Sequence, residues 1–206
     1  MVKRLKQELE DRNISAPGVL SALGKVPRHL FVEEALKGQA YSSNALPIGY
    51  GQTISKPLAV AMMTSLLDLQ PGMSILEIGT GSGYQAAVLA ELGLDVFTVE
   101  RIKPLFFAAK RRLTHLKYFR VKIKIDDGTL GWPENSPFQR ILVTAGGPEI
   151  PLPLLEQLSD PGLMLLPLGS EKREQRLVRV RKENDKFYKQ DLGPAEFVDL
   201  VGKHGW

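Results

Sequence analysis

The 206-residue sequence contains no cysteine. This absence excludes disulfide bonds, thiolate nucleophiles, zinc sites built on thiolates and redox chemistry through the side chains. Histidine is scarce, since only His29, His115 and His204 occur, and the three are too dispersed for a metal site. We therefore expect a protein that holds no metal and uses no thiol.

Long apolar runs and charge of one sign are missing as well. No stretch approaches the roughly 20 apolar residues of a membrane-spanning helix, and residues 1–10 carry charge without the apolar segment of a signal peptide. The formal net charge is +4, but the basic residues are scattered, and those at 173–182 are interleaved with acidic ones. Such a pattern is typical of a solvated face. We expect a cytoplasmic protein with no membrane and no nucleic acid among its partners.

The composition that remains is globular, and the length suits one compact domain. Residues 2–13 and 19–25 are predicted to form short helices, with Pro17-Gly18 breaking between them. Residues 40–55 are too rich in Gly, Ser and Asn for a helix and predict a long irregular loop, a feature that is usually functional. Ser55 is then predicted to be the N-cap of the next helix.

From residue 75 onward, strand-length and helix-length segments alternate. The predicted strands lie at residues 75–78, 96–99, 121–125, 141–144 and 163–168, and the predicted helices at 85–92, 104–116 and 152–158. This order predicts an α/β fold with a mainly parallel sheet and helices on both faces. Two further strands, at residues 176–181 and 187–192, add an antiparallel C-terminal edge.

The most informative segment runs from Ser74 to Tyr84 and has the sequence SILEIGTGSGY. It predicts a strand that ends in a glycine-rich turn and opens a helix, after which the next strand brings Glu100 to the same edge of the sheet. Glycines let backbone N–H groups approach a ligand closely. Glu100 follows Gly79 at about 20 residues, the separation at which a carboxylate accepts hydrogen bonds from both ribose hydroxyls. We predict a pocket for a ribose-bearing ligand.

Tyr84 narrows the choice of ligand. A dinucleotide-binding G-x-G-x-x-G turn needs glycine at this position, and no Arg or Lys follows closely enough to meet a diphosphate. Both features favour a ligand with an adenosine and no phosphate, for which S-adenosylmethionine is the obvious candidate. The ends of the third and fourth strands bring Asp127-Gly128 and residues 144–148 to the same rim, where open α/β sheets bind ligands.

Together these segments resemble the protein-L-isoaspartate (D-aspartate) O-methyltransferase family. The resemblance covers nearly the whole chain, and its most specific part is the sequence GQTISKP at residues 51–57. The other segments that carry it are residues 25–28, 31–32, 45–49, 76–84, 127–128, 131–132, 141–145 and 148–151.

The resemblance implies a Rossmann-like S-adenosylmethionine-dependent methyltransferase fold with an N-terminal helical cap, in one domain of residues 1–206. Residues 1–56 form the cap and substrate loop, and residues 57–206 form the cofactor-binding core with the C-terminal strands. The implied enzyme transfers the methyl group of S-adenosyl-L-methionine to the carboxyl group of L-isoaspartyl and D-aspartyl residues in damaged proteins and peptides. The product formed from the cofactor is S-adenosyl-L-homocysteine, and the reaction requires no metal. The enzyme serves protein repair, and we expect it to be a monomer.

The resemblance also implies the residues of the site. Ser55 matches the family's active-site serine, and the substrate is expected to contact Ser55, Phe197, Val198 and Leu200. The residues expected to bind the cofactor are Gln52, Thr53, Ile54, Gly79, Thr80, Gly81, Ser82, Gly83, Glu100, Arg101, Asp127 and Gly128. Glu196 and Asp199 depart from the family pattern, and side chains that point inward there are expected to repel a substrate carboxylate.

Elementary chemistry is consistent with this activity. A carboxylate with a pKa near 4 is already ionised at neutral pH, so the reaction needs no general base. The enzyme can act by holding nucleophile and methyl group in line, which contributes up to roughly 7–11 kcal/mol in favourable cases. Ser55 is predicted to orient the carboxylate through a hydrogen bond.

Several alternatives stay open. Ser55 could only cap its helix, Asp127 could only form an Asx turn before Gly128, and Tyr84 and Trp132 could touch a ligand or simply pack. Other possible functions are a methyltransferase acting on RNA or a small metabolite, and a protein that binds the cofactor or damaged polypeptide without catalysis. The fourth strand is not followed by the Asn/Asp-Pro-Pro-Tyr-like segment that is typical of attack on a base nitrogen.

Overall fold

A computed structural model describes residues 1–171 and 174–206 of the chain. The α-helices in these ranges are α1 (Val2–Glu10), α2 (Pro17–Lys25), α3 (Pro57–Ser65), α4 (Tyr84–Glu91), α5 (Lys103–His115) and α6 (Leu152–Glu156). The strands are β1 (Leu46–Gly49), β2 (Gln52–Ile54), β3 (Ser74–Ile78), β4 (Asp95–Glu100), β5 (Val121–Ile125), β6 (Phe138–Val143), β7 (Leu158–Glu171), β8 (Glu174–Glu183) and β9 (Lys186–Ala195). Arg173, the start of the basic segment 173–182, lies outside the described residues.

Seven strands form the central sheet in the order β5-β4-β3-β6-β7-β8-β9. The pairs from β5 to β7 are parallel, and β8 and β9 extend the sheet in antiparallel fashion. The chain moves outward from β3 in one direction and then returns to pair β6 on the other side of β3. The predicted mainly parallel sheet with an antiparallel C-terminal edge is confirmed.

The side chains of β3 alternate between the two faces of the sheet, as the period of a strand requires. Leu76 and Ile78 pack in one buried cluster with α6 and the C-terminal segment. Ile75 packs in another with α3 and α4. The sheet is therefore covered on both faces, which explains why its central strands are apolar almost throughout.

The N-terminal helices form a cap that packs against α4. Leu5 and Leu9 of α1 and Leu23 of α2 are almost completely buried in a cluster that also contains Tyr84 and Val88 of α4. The predicted break between the helices was misplaced. Pro17 lies inside the first turn of α2, where its missing N–H costs nothing, and α1 ends before a left-handed Asn13 at φ 58°.

Residues 40–55 are not irregular throughout, contrary to the prediction. They contain an antiparallel hairpin in which Leu46 pairs with Ile54 and Pro47 with Thr53. Its strands have four and three residues, too short for a periodic signal in the sequence, but Leu46 and Ile54 are buried in the cap cluster. The hairpin fixes the backbone directly before Ser55.

The predicted N-cap role of Ser55 is wrong. Helix α3 begins at Pro57, its N-cap residue is Lys56, and no side chain caps it. The Ser55 hydroxyl is therefore not engaged in starting the helix. Among the described residues, no helix is long and apolar enough to cross a membrane.

Candidate active site

A cavity lies at the carboxyl ends of β3, β4 and β6, between the sheet, the hairpin and the C-terminal segment. Open α/β sheets bind their ligands at this edge. Thirteen of the residues predicted to bind cofactor or substrate line it, namely Gln52, Thr53, Ile54, Ser55, Gly79, Thr80, Gly81, Ser82, Glu100, Arg101, Gly128, Val198 and Leu200.

The glycine turn after β3 forms the floor of the cavity. Gly79 has φ +98°, and a Cβ atom there would lie 2.6 Å from the Thr144 Oγ1 atom. That hydroxyl is fixed, since it donates a hydrogen bond of 2.9 Å to the Ile78 carbonyl at the end of β3. Only glycine fits this position, so the turn presents backbone rather than side chain to the cavity.

Glu100 lies at the end of β4 and is 5% exposed. Its Oε2 accepts a hydrogen bond of 2.8 Å from the Gly81 N–H, and its Oε1 accepts one of 2.8 Å from the Ile102 N–H. The carboxylate thus ties the glycine turn to the loop that follows β4. Each oxygen keeps acceptor capacity for a further donor, and Glu100 lines the cavity.

Glu77 supports the same turn from inside the sheet, a contribution that the sequence analysis missed. Its Oε2 accepts a hydrogen bond of 2.6 Å from the Thr98 hydroxyl, which lies 2.7 Å from the hydroxyl of Thr80 in the turn. Glu77 is completely buried and its Oε1 has no hydrogen-bond partner among the described residues. Burial raises the pKa of Glu77 to about 8. A carboxyl in an otherwise apolar strand was the signal available in the sequence.

Three predicted site residues lie outside the cavity lining. Gly83 has φ +85° and faces Leu113 of α5, 3.3 Å from where a Cβ would be, so it allows close helix packing. Phe197 is bound through its backbone to Gln175 and packs in the cluster on the α3 and α4 face. Neither residue lines the cavity, and the ligand contacts expected of them stay predictions.

Asp127 is the third of these residues. Its Oδ1 accepts hydrogen bonds from the Thr129 N–H at 2.8 Å and the Thr129 hydroxyl at 2.7 Å, the geometry of an Asx turn. Its Oδ2 accepts one of 2.7 Å from the Lys203 N–H. These bonds hold the pKa of the Asp127 carboxyl below its ordinary value despite partial burial. Asp127 thereby anchors the C-terminal segment that forms one wall of the cavity.

The acidic residues of the C-terminal segment differ in their surroundings. Glu196 is mostly exposed, and its carboxylate lies 3.0 Å from the Nζ atom of Lys56, next to Ser55. Its charge is therefore paired rather than directed at a substrate carboxylate. Asp199 lines the cavity, and its backbone bridges to Gly146.

The lining also includes residues to which the sequence analysis gave no definite site role. They are Val60, Ile78, Tyr84, Gln85, Val99, Ile102, Thr144, Ala145, Asp199 and Val201. Tyr84 is thus at the cavity, whereas Trp132 packs edge-on against Phe97 with ring centroids 5.6 Å apart. Among the described residues, no group of three or more His, Asp or Glu side chains is arranged to hold a metal ion.

Comparison with solved structures defines the class of protein. A protein-L-isoaspartate O-methyltransferase structure superposes with a TM-score of 0.89 and 27% identity, covering 100% of this chain and 67% of the other. A Plasmodium falciparum structure assigned to the same family, in complex with S-adenosyl-L-homocysteine, gives 0.82 and 26%, covering 97% of each chain. The fold and cavity are those of a Rossmann-like methyltransferase.

Sequence comparison defines the family. The model of the protein-L-isoaspartate (D-aspartate) O-methyltransferase family matches residues 1–205. The protein-L-isoaspartate O-methyltransferase of Dictyoglomus thermophilum is 51% identical over 99% of this chain and 92% of its own length. That of Desulfotalea psychrophila is 50% identical over 99% and 95%. The chain belongs to this family, which confirms the predicted resemblance, fold class and class of enzyme.

The buried Glu77 carboxyl predicts a specific pH dependence of stability. Its pKa is raised from 4.5 to about 8, so between these values the folded protein holds a proton that the unfolded chain releases. The free energy of unfolding should fall by about 1.4 kcal/mol per pH unit from this group as pH rises through the window. Glu77→Gln keeps the acceptor for Thr98 and should remove that slope.

Urea unfolding at several pH values across the window measures this slope. Glu34→Gln, which changes a glutamate whose side chain is 87% exposed, should keep the wild-type slope. Equal slopes for wild type and Glu77→Gln would contradict the assignment.

Proposed function

We propose that this protein transfers the methyl group of S-adenosyl-L-methionine to the carboxylate of L-isoaspartyl and D-aspartyl residues in damaged proteins and peptides. The observation that carries the proposal is the cavity itself. It joins the glycine turn and Glu100 on one side to Ser55 and the C-terminal segment on the other, in a chain that matches the family over residues 1–205.

The residues that line the cavity suit the cofactor. Glycine at position 79, where a Cβ would clash with the Thr144 hydroxyl, lets the backbone of the turn border the cavity. The free acceptor capacity of Glu100 suits two vicinal ribose hydroxyls. The Plasmodium falciparum relative, which has the same fold, is in complex with S-adenosyl-L-homocysteine. We assign cofactor contacts to the lining residues 52–54, 79–82, 100–101 and Gly128.

The roles proposed for Gly83, Asp127 and Phe197 are indirect. Gly83 permits α5 to approach the turn, and Asp127 anchors the C-terminal wall through Lys203. Phe197 fixes the start of that wall through its backbone bonds to Gln175. Substrate contact is assigned to Ser55, Val198 and Leu200, which line the cavity.

S-adenosylmethionine supplies an electrophilic methyl carbon and departs as S-adenosylhomocysteine. A substrate carboxylate is already ionised at neutral pH, so the protein has to orient it rather than deprotonate it. We assign to the Ser55 hydroxyl, which lines the cavity and does not cap α3, a hydrogen bond donated to that carboxylate. The backbone nitrogen of the next residue can then attack the ester carbonyl and release methanol, which forms a succinimide. Addition of water to this ring returns a fraction of the residues to normal aspartate.

Replacing Glu100 should weaken binding of S-adenosylhomocysteine. Glu100→Gln loses the charge and one acceptor, so the N–H of Gly81 or Ile102 is left without its partner. Losing a charge-assisted hydrogen bond costs about 1.5–3 kcal/mol, so the dissociation constant measured by calorimetry should rise roughly 10- to 150-fold. Asp95→Asn, at the opposite end of β4, should bind like wild type. If Glu100→Gln bound S-adenosylhomocysteine as tightly as Asp95→Asn and wild type, the result would argue against a ribose contact at Glu100.

Replacing Ser55 should reduce turnover and spare stability. Ser55→Ala removes a proposed hydrogen bond to a charged acceptor, worth about 1.5–3 kcal/mol, so turnover on an isoaspartyl peptide should fall roughly 10- to 150-fold. Its melting temperature should match wild type, because the hydroxyl caps no helix. Ser65→Ala removes a hydroxyl bonded to Ala61 within α3 and should leave turnover unchanged. Full turnover by Ser55→Ala would rule out the catalytic assignment.

The overall activity is tested with labelled S-adenosylmethionine. The expected result is a base-labile methyl ester on an isoaspartyl peptide, and none on the peptide of the same sequence that contains normal aspartate. Label that enters RNA or a small metabolite but never the isoaspartyl peptide would favour the alternative methyltransferase, and binding without transfer would favour the non-catalytic one. The single-domain division at residue 56, the monomeric state, the cytoplasmic location and the lack of nucleic-acid partners stay predictions.

A further inference from the structure

Arg28 is a buried arginine between the N-terminal cap and the active site. Its side chain has no solvent exposure. The Nε atom donates a hydrogen bond of 2.7 Å to the Ala40 carbonyl, and Nη2 donates one of 2.7 Å to the Ser55 carbonyl. One guanidinium therefore holds both ends of the segment 40–55, which contains the hairpin.

The same guanidinium is also packed against the cofactor-binding core. Its central carbon lies 4.7 Å from the centroid of the Tyr84 ring. Tyr84 is the first residue of α4, directly after the glycine turn, and it lines the cavity. Arg28 thus links Ser55 to the residue that follows the turn, through one hydrogen bond to the Ser55 carbonyl and a cation–π contact with Tyr84.

Packing alone does not explain an arginine at this position. Within residues 1–171 and 174–206, no carboxylate forms a salt bridge with Arg28, and its Nη1 has no hydrogen-bond partner. Burial lowers the pKa of Arg28, which reflects the cost of keeping a cation there, and an apolar side chain of similar volume would avoid that cost. What an apolar side chain lacks is a rigid fork of donors that reaches two carbonyls at once.

We propose that Arg28 is a positioning residue for methyl transfer, which holds the backbone of Ser55 at the distance from the cofactor turn that the reaction needs. The inference rests on the proposed function, because it gives Ser55 a role in turnover. Arg28 itself does not line the cavity, so it acts through Ser55 and not on the substrate.

Arg28→Lys tests the geometry while it keeps a positive charge. A lysine has one donor group and cannot hold both carbonyls in the same way. A displacement of about 1 Å can reduce rate by roughly 100-fold, so kcat/KM for an isoaspartyl peptide should fall about 10- to 100-fold, mainly through kcat. The affinity for S-adenosylhomocysteine should stay within about threefold of wild type, because the cofactor contacts are not those of Arg28.

Arg140 provides a matched control. It too is nearly buried, and its Nε and Nη2 donate hydrogen bonds to the carbonyls of Leu67 and Asp68. It does not line the cavity. Arg140→Lys should lower the melting temperature as Arg28→Lys does, yet keep wild-type kcat/KM when assayed well below melting. A loss of activity in both variants in proportion to stability would overturn the proposal.

Two further measurements separate positioning from folding. In the double variant Arg28→Lys/Ser55→Ala, kcat should fall no further than in Ser55→Ala, since Arg28 acts through Ser55. Hydrogen exchange should be faster for amides of residues 41–55 in Arg28→Lys and unchanged there in Arg140→Lys. The proposal would be overturned if the kcat losses of the two single variants multiplied in the double variant, or if hydrogen exchange of residues 41–55 were unchanged in Arg28→Lys. If Arg28→Lys does not fold, Arg28→Gln is used in its place in each of these measurements.

The outcomes distinguish this inference from the proposed function. If wild type methylates the isoaspartyl peptide and Arg28→Lys does so equally well, the inference alone fails. If wild type does not methylate it, the proposed function fails, and the exchange of residues 41–55 still decides whether Arg28 holds the segment.

Discussion

The pairing of β6 with β3, on the side opposite to β4, is the constraint on which the site depends. It brings the carboxyl ends of three strands together and opens a crevice where the strand order reverses. Ile78 is paired with Val99 on one side and Val143 on the other. The glycine turn, Glu100 and Thr144 directly follow these three paired residues along the chain. They therefore lie next to one another at the same edge of the sheet.

Polar groups buried around that crevice determine how firmly its walls are held. Glu77 lies under the turn and Arg28 lies behind Ser55, each in surroundings that disfavour its charged form. Groups of this kind contribute little net stability, since desolvation offsets most of what their hydrogen bonds gain. They do fix geometry, because a fully buried donor or acceptor tolerates few alternative arrangements. In an enzyme that has to orient an already ionised nucleophile, fixed geometry is the contribution that matters.

The core of the fold could be predicted because apolar segments of strand length and helix length alternate along the chain. Residues 121–125 are a strand in both prediction and structure, and β3 differs by one residue. The predicted strand 163–168 was too short, since β7 begins at Leu158. Asp160-Pro161-Gly162 has the composition of a turn, yet it lies within β7. The pairing of β6 with β7 accommodates it through a shift of register between Phe138 and Arg140.

The positions of residues at the cavity could be predicted where strand ends determine them, and could not where tertiary contacts do. Gly79, Gly81 and Glu100 line the cavity as expected, because their places on the chain fix their places on the rim. Nothing in the local sequence shows that Arg28 reaches Ser55, because the two are brought together by the packing of the cap. The family resemblance assigned Phe197 to the substrate together with Val198 and Leu200, yet Phe197 packs in the cluster on the α3 and α4 face of the sheet, whereas the other two pack in the cluster on the opposite face.

The two acidic residues of the C-terminal segment have different surroundings, so their charges act differently. The Glu196 carboxylate faces Lys56, so the pair adds little net charge beside Ser55. The pair also joins the residue after Ser55 to the segment that carries Val198 and Leu200, and at its exposed position it contributes little to stability. Asp199 lines the cavity, so of the two acids that depart from the family pattern it is the one that an anionic ligand of the cavity would approach.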